Sequence, residues 1–371
     1  MRILVLDTYY PPFLAEHYRR APELAARTYD EQLTALIDRC FGTSDAYSRH
    51  LRELGHDAVD VVANCEPLQL RWAREHGLAP RTLRALATLP RRVLLRRIAL
   101  AQISAYEPQV VYVQDLWFFT KRDVAALSAG GRFVVGQIAS ALPPRRTLDG
   151  FDLLVTSLPQ FVERFRKHGL DAEYLKIGFD EKVLDRLRDV GVDSSPSSPR
   201  EYTAAFVGGL GGRIWAKGTR ILERAVKEAD VDVWGYGAGE LSTGSAIRSR
   251  YHGEAWGIDM YEILARSRIA FNRHGEVAGG YAANMRLYEA TGVGALVVTD
   301  ATRNLADLFE PGREIVAYES EDDAVDKLRH YAAHDDERRR IAAAGQARTL
   351  REHTYSNRMR ELSAMLEARL A

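Results

Sequence analysis

The stretch Gly279-Gly-Tyr-Ala-Ala-Asn-Met-Arg-Leu-Tyr-Glu-Ala-Thr-Gly-Val-Gly-Ala-Leu-Val-Val-Thr-Asp300 decides how the second half of the chain is interpreted. It predicts a glycine-rich loop, a helix that carries Arg286 and Glu289, a tight glycine turn and the buried strand 295–298. The start of such a helix offers backbone N–H groups and a positive dipole end, which suit a phosphate. Glu289 lies one turn further, where a carboxylate can accept hydrogen bonds from vicinal hydroxyls such as those of a ribose. The pattern favours a nucleotide site, and a generic loop–helix–strand unit is the alternative.

Short apolar runs alternate with helical patterns on both sides of this stretch. The predicted strands are residues 3–6, 58–62, 110–113, 132–135, 153–155 and 173–177, followed by 204–207, 231–234, 269–271, 295–298 and 314–317. The predicted helices include residues 44–54, 67–76, 82–106, 159–168 and 218–228. Strands that alternate with helices favour an α/β protein with parallel, doubly wound sheets.

One composition break divides this pattern. The segment Asp193-Ser-Ser-Pro-Ser-Ser-Pro199 is typical of a linker. We therefore predict an N-terminal domain at 1–192, a linker at 193–200, a second domain at 201–354 and a final helix at 355–371. Two such Rossmann-like halves predict a ligand in the cleft between them, at the carboxyl ends of the strands.

A second glycine-rich segment, Phe206-Val-Gly-Gly-Leu-Gly-Gly-Arg-Ile-Trp-Ala-Lys-Gly218, follows a predicted strand. Gly208 and Gly209 would let the backbone approach a ligand closely. The guanidinium of Arg213 can bind a phosphate through two hydrogen bonds, and the ammonium of Lys217 can bind it as a point charge. Together they predict a diphosphate clamp. A flexible turn with two solvated cations is the alternative. The spacing is not GxGxxG, which counts against a dinucleotide cofactor.

Three further residues are candidates for the walls of this site. Gly237 belongs to the turn Gly235-Tyr-Gly-Ala-Gly239, which forms either a wall or only a turn. Trp256 can stack on a base, and a buried tryptophan that packs its own loop is an equal alternative. His274 follows a predicted strand and can contact a diphosphate or a sugar, whereas a solvated loop histidine is the plainer interpretation.

The block Asn284-Met285-Arg-Leu-Tyr-Glu289, followed by a Gly-Ala turn and a strand ending in Thr-Asp, resembles the nucleotide-sugar site of GT-B glycosyltransferases. It is most similar to the CgeB-like, spore-maturation group, which is allied to the retaining family 4. The similarity continues through residues 308–315, a helix ending at Gly345, residues 353–355 and Arg358. It covers roughly residues 201–362. The resemblance implies two Rossmann-like, doubly wound domains that face each other across a cleft, with the C-terminal helix crossing back to the first domain.

The resemblance also implies roles for individual residues. Arg213 and Lys217 look like the pair that holds the pyrophosphate in family 4, and Asn272 is similar to an asparagine of the CgeB-like group. Family 4 usually carries two glutamates eight positions apart, and Glu289 fits the second, which binds the ribose. Tyr281 stands in place of the first glutamate. The family's contact to the donor sugar is therefore not reproduced, and both retention and inversion stay open.

The N-terminal domain would hold the acceptor on loops after strands 3–6 and 110–113. His17 lies just beyond the first loop, and Asp115 lies in the second beside three aromatic residues. An acid among apolar rings can have a raised pKa and act as a base, and capping of the next helix is the structural alternative. The basic stretch 90–98 favours an ordinary surface helix, with weak contact to an anionic membrane as the alternative.

Composition excludes several classes of protein. The 371 residues carry 51 basic and 51 acidic side chains, so no net charge attracts nucleic acid. Cys40 and Cys65 are far apart, the amino terminus lacks a signal-peptide core, and no apolar run reaches the roughly 18 residues of a membrane span. We expect a soluble, cytoplasmic protein. Metal-ligand spacings and a nucleophile elbow are also absent from the sequence.

These observations predict a hexosyltransferase-like enzyme that moves a sugar from a nucleotide-diphosphate donor, with UDP expected as the nucleotide. The acceptor would be a small molecule, a peptide or a glycan. No cofactor or metal is expected, because Arg213, Lys217 and the helix start at 284–286 would stabilise the leaving diphosphate. Two alternatives stay open: a nucleotide-sugar epimerase of the same fold, and a non-catalytic protein that binds a nucleotide sugar.

Overall fold

A computed structural model describes residues 1–77 and 89–370, apart from the side chains of residues 212–217. Over these residues the chain divides into two compact units. The first consists of Met1–Leu175 and Met359–Ala371, and the second consists of Lys176–Arg358. Each unit contains a parallel β-sheet with helices between successive strands.

The sheet of the first unit has the order β2-β1-β3-β4-β5-β6, and every pairing is parallel. All residues of Val110–Val113 and Leu153–Thr156 are buried, as expected for strands covered on both faces. The strands are β1 (Arg2–Asp7), β2 (Asp57–Val62), β3 (Val110–Val113), β4 (Phe133–Gln137), β5 (Leu153–Thr156) and β6 (Ala172–Tyr174). The helices are α1 (Pro11–Arg20), α2 (Tyr29–Ile37), α3 (Ala46–Glu53), α4 (Glu66–Glu75), α5 (Arg91–Tyr106), α6 (Lys121–Ala129), α7 (Arg145–Leu148) and α8 (Pro159–Lys167).

The sheet of the second unit has the order β11-β10-β9-β7-β8 and is also parallel. Its strands are β7 (Tyr202–Val207), β8 (Val231–Trp234), β9 (Ser267–Phe271), β10 (Leu296–Asp300) and β11 (Val316–Tyr318). Its helices are α9 (Lys182–Asp189), α10 (Gly212–Ala229), α11 (Ile258–Ala265), α12 (Met285–Gly292), α13 (Leu305–Leu308), α14 (Glu321–Ala333) and α15 (Asp335–Glu352). The chain ends in α16 (Tyr355–Leu370).

The hydrophobic core of the second unit lies between the sheet and two helices on one of its faces. Leu222 and Ala225 of α10 and Leu328 of α14 have no exposed surface, and they pack with the strand residues Ile269 and Leu296. This packing fixes the strand ends, and therefore the loops that follow them.

The strand predictions are confirmed, with bounds shifted by at most three residues. Residues 82–88 of the predicted helix 82–106 lie outside the described part of the chain, and the rest corresponds to α5. The predicted helix 218–228 begins six residues earlier than expected, at Gly212.

The expectation that a helix ends at Gly345 is wrong. Helix α15 continues through Gly345 to Glu352. The glycine serves a close contact, because a Cβ atom there would lie 2.3 Å from the backbone oxygen of Glu314. It is a packing position and not a helix stop.

The observed units differ from the predicted division at residue 193. Residues 176–192 belong to the second unit, where α9 packs against α11. The predicted linker 193–200 also lies inside that unit, because the buried Arg200 side chain binds backbone oxygens around it. Its Nη2 atom donates to Ser195 and Gly294, each at 2.9 Å.

Within residues 1–77 and 89–370, none of the helices combines the length and the apolar composition needed to span a bilayer. Two arginines of the basic stretch 90–98 form ion pairs with carboxylates of the first unit. Arg91 pairs with Glu66 at 2.6 Å, and Arg96 pairs with Asp123 at 3.1 Å. Cys40 and Cys65 are buried, and they form no disulfide within the described residues.

Candidate functional site

Helix α12 begins at the carboxyl edge of the second sheet, and its start is held by two asparagines. Asn284 is the N-cap, and its side-chain oxygen accepts from the backbone N–H of Leu287 at 3.3 Å. Its Nδ2 atom donates to Asn272 Oδ1 and to the Arg273 carbonyl, each at 2.9 Å. Asn272 is 2% exposed and donates to Thr299 Oγ1 at 2.9 Å. Asn272 and Asn284, both predicted to contact the donor, therefore lie together, and their hydrogen bonds orient the first turn of α12.

Arg286 and Glu289 lie one turn apart on α12 and form a partly buried ion pair. Arg286 Nη1 lies 2.5 Å from Glu289 Oε2, and the two side chains are 17% and 7% exposed. Arg286 Nε also donates to the carbonyl of Val207, the last residue of β7, at 3.1 Å. Tyr261 donates to Glu289 Oε1 at 3.3 Å. A carboxylate has about four lone-pair positions, so Glu289 retains the capacity to accept hydroxyl groups beside these partners.

His274 and Asp300 form a second pair at the ends of β9 and β10. Asp300 Oδ1 accepts from the backbone N–H of His274 at 2.9 Å and lies 2.8 Å from its Nδ1 atom. Burial raises the pKa of Asp300, but the hydrogen bonds and charge of His274 outweigh it, so the pKa is lowered overall. The His274 side chain is 3% exposed. The His274 side chain is therefore buried and fixed by Asp300, which disagrees with the interpretation as a solvated loop histidine.

Arg273 is a buried cation that the sequence did not single out. Its Nη2 atom donates to the carbonyl of Gly209 at 2.8 Å, and its guanidinium lies 5.3 Å from the centre of the Phe206 ring. A Cβ atom at Gly218 would come within 2.1 Å of Arg273 Nη1. Gly218 on α10 therefore provides the space for this side chain, and burial lowers the pKa of Arg273.

The glycines after β7 and β8 bring two loops together. Gly208 N donates to the Trp234 carbonyl at 3.0 Å, and Leu210 N donates to the Tyr236 carbonyl at 2.8 Å. A Cβ atom at Gly235 would lie 1.7 Å from the Gly208 oxygen, and one at Gly237 would lie 2.3 Å from the Leu210 oxygen. Gly235 and Gly237 therefore accommodate the backbone of the neighbouring loop. The close approach of a ligand to Gly208 and Gly209 stays a prediction.

Arg213 and Lys217 lie in the first turns of α10, after Gly211, whose φ of 64° ends the loop. Their placement on a helix corrects the expectation of a loop that extends to Gly218. Their side chains lie outside the description, so the predicted diphosphate clamp stays a prediction. Met285, a further predicted donor contact, occupies the first position of α12.

Trp256 packs within its own part of the second unit. It is 7% exposed and stacks on Tyr236, with ring centres 5.6 Å apart and planes inclined by 15°. Its Nε1 atom donates to Glu254 at 3.1 Å. This geometry favours the packing interpretation of Trp256, and it leaves the partly buried Tyr236 as the more accessible ring of the pair.

A cavity of about 490 Å³ opens at the ends of β9, β10 and β11. It is lined by Arg273, His274, Asp300, Thr302 and Tyr318, together with residues in the middle of α10 and at the start of α14. Its volume lies within the range of roughly 300–1,000 Å³ that is usual for small-molecule sites. The cavity belongs entirely to the second unit.

In the first unit, Asp7 ends β1 and Asp115 follows β3, which is the neighbouring strand. Thr8 Oγ1 donates to Asp115 Oδ2 at 2.8 Å, and the Trp117 N–H donates to Asp115 Oδ1 at 2.9 Å. Asp115 therefore orders its own turn. Burial raises the pKa of Asp7 to about 7, assisted by the charges of Asp115 and Asp60 and opposed by the hydrogen bond from Thr8. The sequence pointed to the loop but not to Asp7, because the desolvation of its carboxyl group depends on the folded structure.

His17 lies on α1, just beyond the loop that follows β1. It is 4% exposed, and its ring packs on those of Phe13 and Tyr18, with centres 6.4 and 5.1 Å away. Burial, with the nearby charge of Arg39, lowers the pKa of His17 to about 4. The side chain is therefore neutral at physiological pH.

Comparison with known proteins agrees with this architecture. Residues 217–364 match a family model described as glycosyl transferase-like. None of the curated protein sequences is similar enough to match the chain.

Several solved structures share the fold. HepE of Anabaena, in complex with UDP-glucose, has a TM-score of 0.60 at 14% identity, over 99% of this chain and 100% of its own. Sucrose-phosphate synthase of Thermosynechococcus elongatus has a TM-score of 0.58 at 11% identity, over 100% and 99%. AviGT4, a glycosyltransferase involved in avilamycin A biosynthesis, has a TM-score of 0.56 at 14% identity, over 98% and 96%.

The two parallel-sheet, Rossmann-like units confirm the predicted fold class, because they match those of GT-B glycosyltransferase structures. The family match covers α12, the His274–Asp300 pair and most of α10. Residues 217–364 therefore match a glycosyl transferase-like family model within a chain of GT-B fold.

Proposed function

We propose that the protein is a glycosyltransferase whose second unit binds a nucleotide-diphosphate sugar, with UDP as the nucleotide. The observation that carries the proposal is the placement of α12. Within the glycosyl transferase-like segment, this helix brings a capped N-terminus and the buried carboxylate of Glu289 to the carboxyl edge of a parallel sheet. HepE, which has a similar fold, binds UDP-glucose. The proposed kinship with the CgeB-like group and family 4 rests on the sequence block 284–289.

In this proposal the diphosphate lies at the start of α12, where the dipole and backbone N–H groups favour an anion. Asn272 and Asn284 orient that turn, and Glu289 accepts the ribose hydroxyls while Arg286 fixes its carboxylate. Arg213 and Lys217, in the first turns of α10, stabilise negative charge on the departing diphosphate. The leaving group then needs no divalent cation.

The first unit supplies the acceptor site in this proposal. Asp7 is the group best suited to take a proton from an acceptor hydroxyl, because a base is most effective when its pKa lies near the working pH. Asp115 and Thr8 position this edge of the sheet through their hydrogen bond. His17, with a pKa of about 4, is a weaker base than the sequence interpretation assumed.

A thermal-shift screen against UDP-, GDP-, ADP- and dTDP-sugars tests the donor assignment. A ligand that binds only the folded protein at 100 times its Kd stabilises it by about 2.7 kcal/mol. We expect the largest rise in Tm with the UDP compounds, and no rise with any of the four classes would refute the proposal. Incubation with a UDP-sugar alone separates the epimerase alternative, which predicts interconversion of sugars in the absence of an acceptor.

A further inference from the structure

His274 lines the cavity at the ends of β9, β10 and β11, and one nitrogen of its imidazole is unsatisfied within the described residues. The side chain is 3% exposed, and its Nε2 atom has no hydrogen-bond partner among the residues that the structure describes. Thr302 lines the same cavity, and its Oγ1 atom is likewise buried without a partner within residues 1–77 and 89–370. Leaving a buried polar group unsatisfied is costly, so two such groups on one cavity indicate a polar ligand.

The contact with Asp300 determines what His274 can offer. Asp300 Oδ1 accepts from the backbone N–H of His274 and lies 2.8 Å from Nδ1, so the ring proton is held on Nδ1. Nε2 accepts a hydrogen bond in the neutral imidazole and donates one in the protonated ring. A hydroxyl group can satisfy it in either case. Thr302 Oγ1 can both donate and accept, which also suits a hydroxyl.

The charges around the cavity favour a neutral ligand. Its lining includes the carboxylate residues Glu276, Asp300, Glu319 and Glu321, whereas Arg273 is the cation among the described lining residues. Glu321 pairs with Arg220 at 2.9 Å, and the other three acids still outnumber Arg273. Such a lining repels a diphosphate and accepts hydrogen bonds from hydroxyl groups. A polyhydroxylated ring fits both the charge and the volume of about 490 Å³.

We propose that His274, held by Asp300, and Thr302 recognise the hydroxyl groups of the donor sugar, and that the cavity is its subsite. The inference rests on the proposed function and deepens it. His274 is a specificity-determining residue in this account. It contributes to the affinity for the sugar and not to that for the nucleotide.

Calorimetry with UDP and with UDP-glucose, UDP-galactose and UDP-N-acetylglucosamine tests this division. The quantity of interest is the ratio of the Kd for UDP to the Kd for the tightest UDP-sugar. His274→Asn keeps an amide that can replace Nδ1 in the bond to Asp300 but removes the Nε2 edge. We expect this variant to bind UDP like the wild type and to lower the ratio roughly tenfold, as for the loss of a buried hydrogen bond. His274→Gln, whose amide can reach the position of Nε2, should restore part of the ratio.

His330→Gln serves as the matched control, because His330 also pairs with a carboxylate, Glu337 at 2.8 Å, but lies at the other end of α14. It should leave the ratio unchanged. An unchanged ratio in His274→Asn would overturn the sugar-subsite inference while leaving UDP binding intact. Parallel losses of UDP and UDP-sugar affinity would show a merely structural role. Absence of UDP binding in the wild type would instead remove the proposed function, and this inference with it.

Discussion

Glu289 shows how one side chain can serve both the fold and the site. Its carboxylate is held by Arg286 at 2.5 Å and by Tyr261 at 3.3 Å. The sequence identified this residue from its position in the helix, but it did not reveal the two partners that fix it. Because the partners are aligned by packing between α11 and α12, they become visible only in the folded unit.

Glu289→Gln should therefore weaken both nucleotide binding and the fold. The amide keeps the size of the side chain but accepts fewer hydrogen bonds and loses the charge that holds Arg286. We expect UDP affinity to fall at least roughly tenfold, measured by calorimetry, with a loss of about 1–3 kcal/mol in the free energy of unfolding. Unchanged UDP affinity would remove the ribose assignment.

Asp7 predicts a specific dependence of stability on pH. Its pKa is raised from 3.8 to about 7, so the native state holds a proton that the unfolded chain releases. The resulting contribution is complete below pH about 4 and is lost as pH rises towards 7. Between pH 5 and pH 8 the free energy of unfolding of Asp7→Asn should rise by roughly 2 kcal/mol relative to that of the wild type. The upper limit is about 1.4 kcal/mol for each pH unit between pH 5 and the pKa, and we expect less because the group is partly exposed.

Urea unfolding at pH 5 and pH 8 measures this difference. Asp30→Asn, on the exposed start of α2, is the control and should show no such pH-dependent gain. If Asp7→Asn and the wild type lose stability in parallel between the two pH values, the raised pKa of Asp7 is wrong. A decrease of kcat/KM below pH about 7 in the wild type would support its role as a base.

At the scale of elements, the periodicity of apolar residues was sufficient to predict the strands but not to predict close contacts between backbones. Apolar runs such as Val110–Val113 marked the buried strands directly, because burial on both faces requires apolar residues throughout. The glycines were harder to interpret. The sequence alone does not distinguish a glycine that ends a helix from one that approaches a ligand or accommodates another backbone. Gly235, Gly237 and Gly345 all accommodate another backbone.

Gly345→Ala tests this interpretation in α15. An alanine in a helix interior normally gains about 1 kcal/mol over glycine. Here the added Cβ atom would meet the Glu314 oxygen at 2.3 Å, so we expect a net loss of about 1–3 kcal/mol. Thermal unfolding followed by circular dichroism provides the measurement. Ala343→Gly, at an exposed position of the same helix, should cost only its propensity of about 1 kcal/mol. A more stable Gly345→Ala protein would contradict the close contact.

At the scale of the whole molecule, the sequence predicted the number and type of units better than their limits. The serine- and proline-rich segment 193–199 has the composition of a linker, yet Arg200 anchors it inside the second unit through carbonyl groups distant in sequence. Composition cannot reveal such long-range contacts. The last residues, 359–371, belong to the unit that begins at Met1.

Removal of residues 359–371 should therefore weaken the first unit. The deletion discards Met359, Leu362 and Leu366, each 0% exposed, and the pairing of Arg369 with Asp171 at 2.7 Å. We expect a loss of roughly 5 kcal/mol in urea unfolding, from the burial of three apolar side chains. A protein that lacks only residues 370–371 is the control. Equal stability of the two truncated proteins would show that this segment does not support the first unit.

The central claim is that the second unit binds a nucleotide-diphosphate sugar at α12. The most direct measurement is a crystal structure of the protein soaked with UDP-glucose. The account predicts ribose hydroxyls within hydrogen-bond distance of the Glu289 carboxylate and the diphosphate at the first turn of α12. A bound nucleotide that contacts neither Glu289 nor the start of α12 would contradict it.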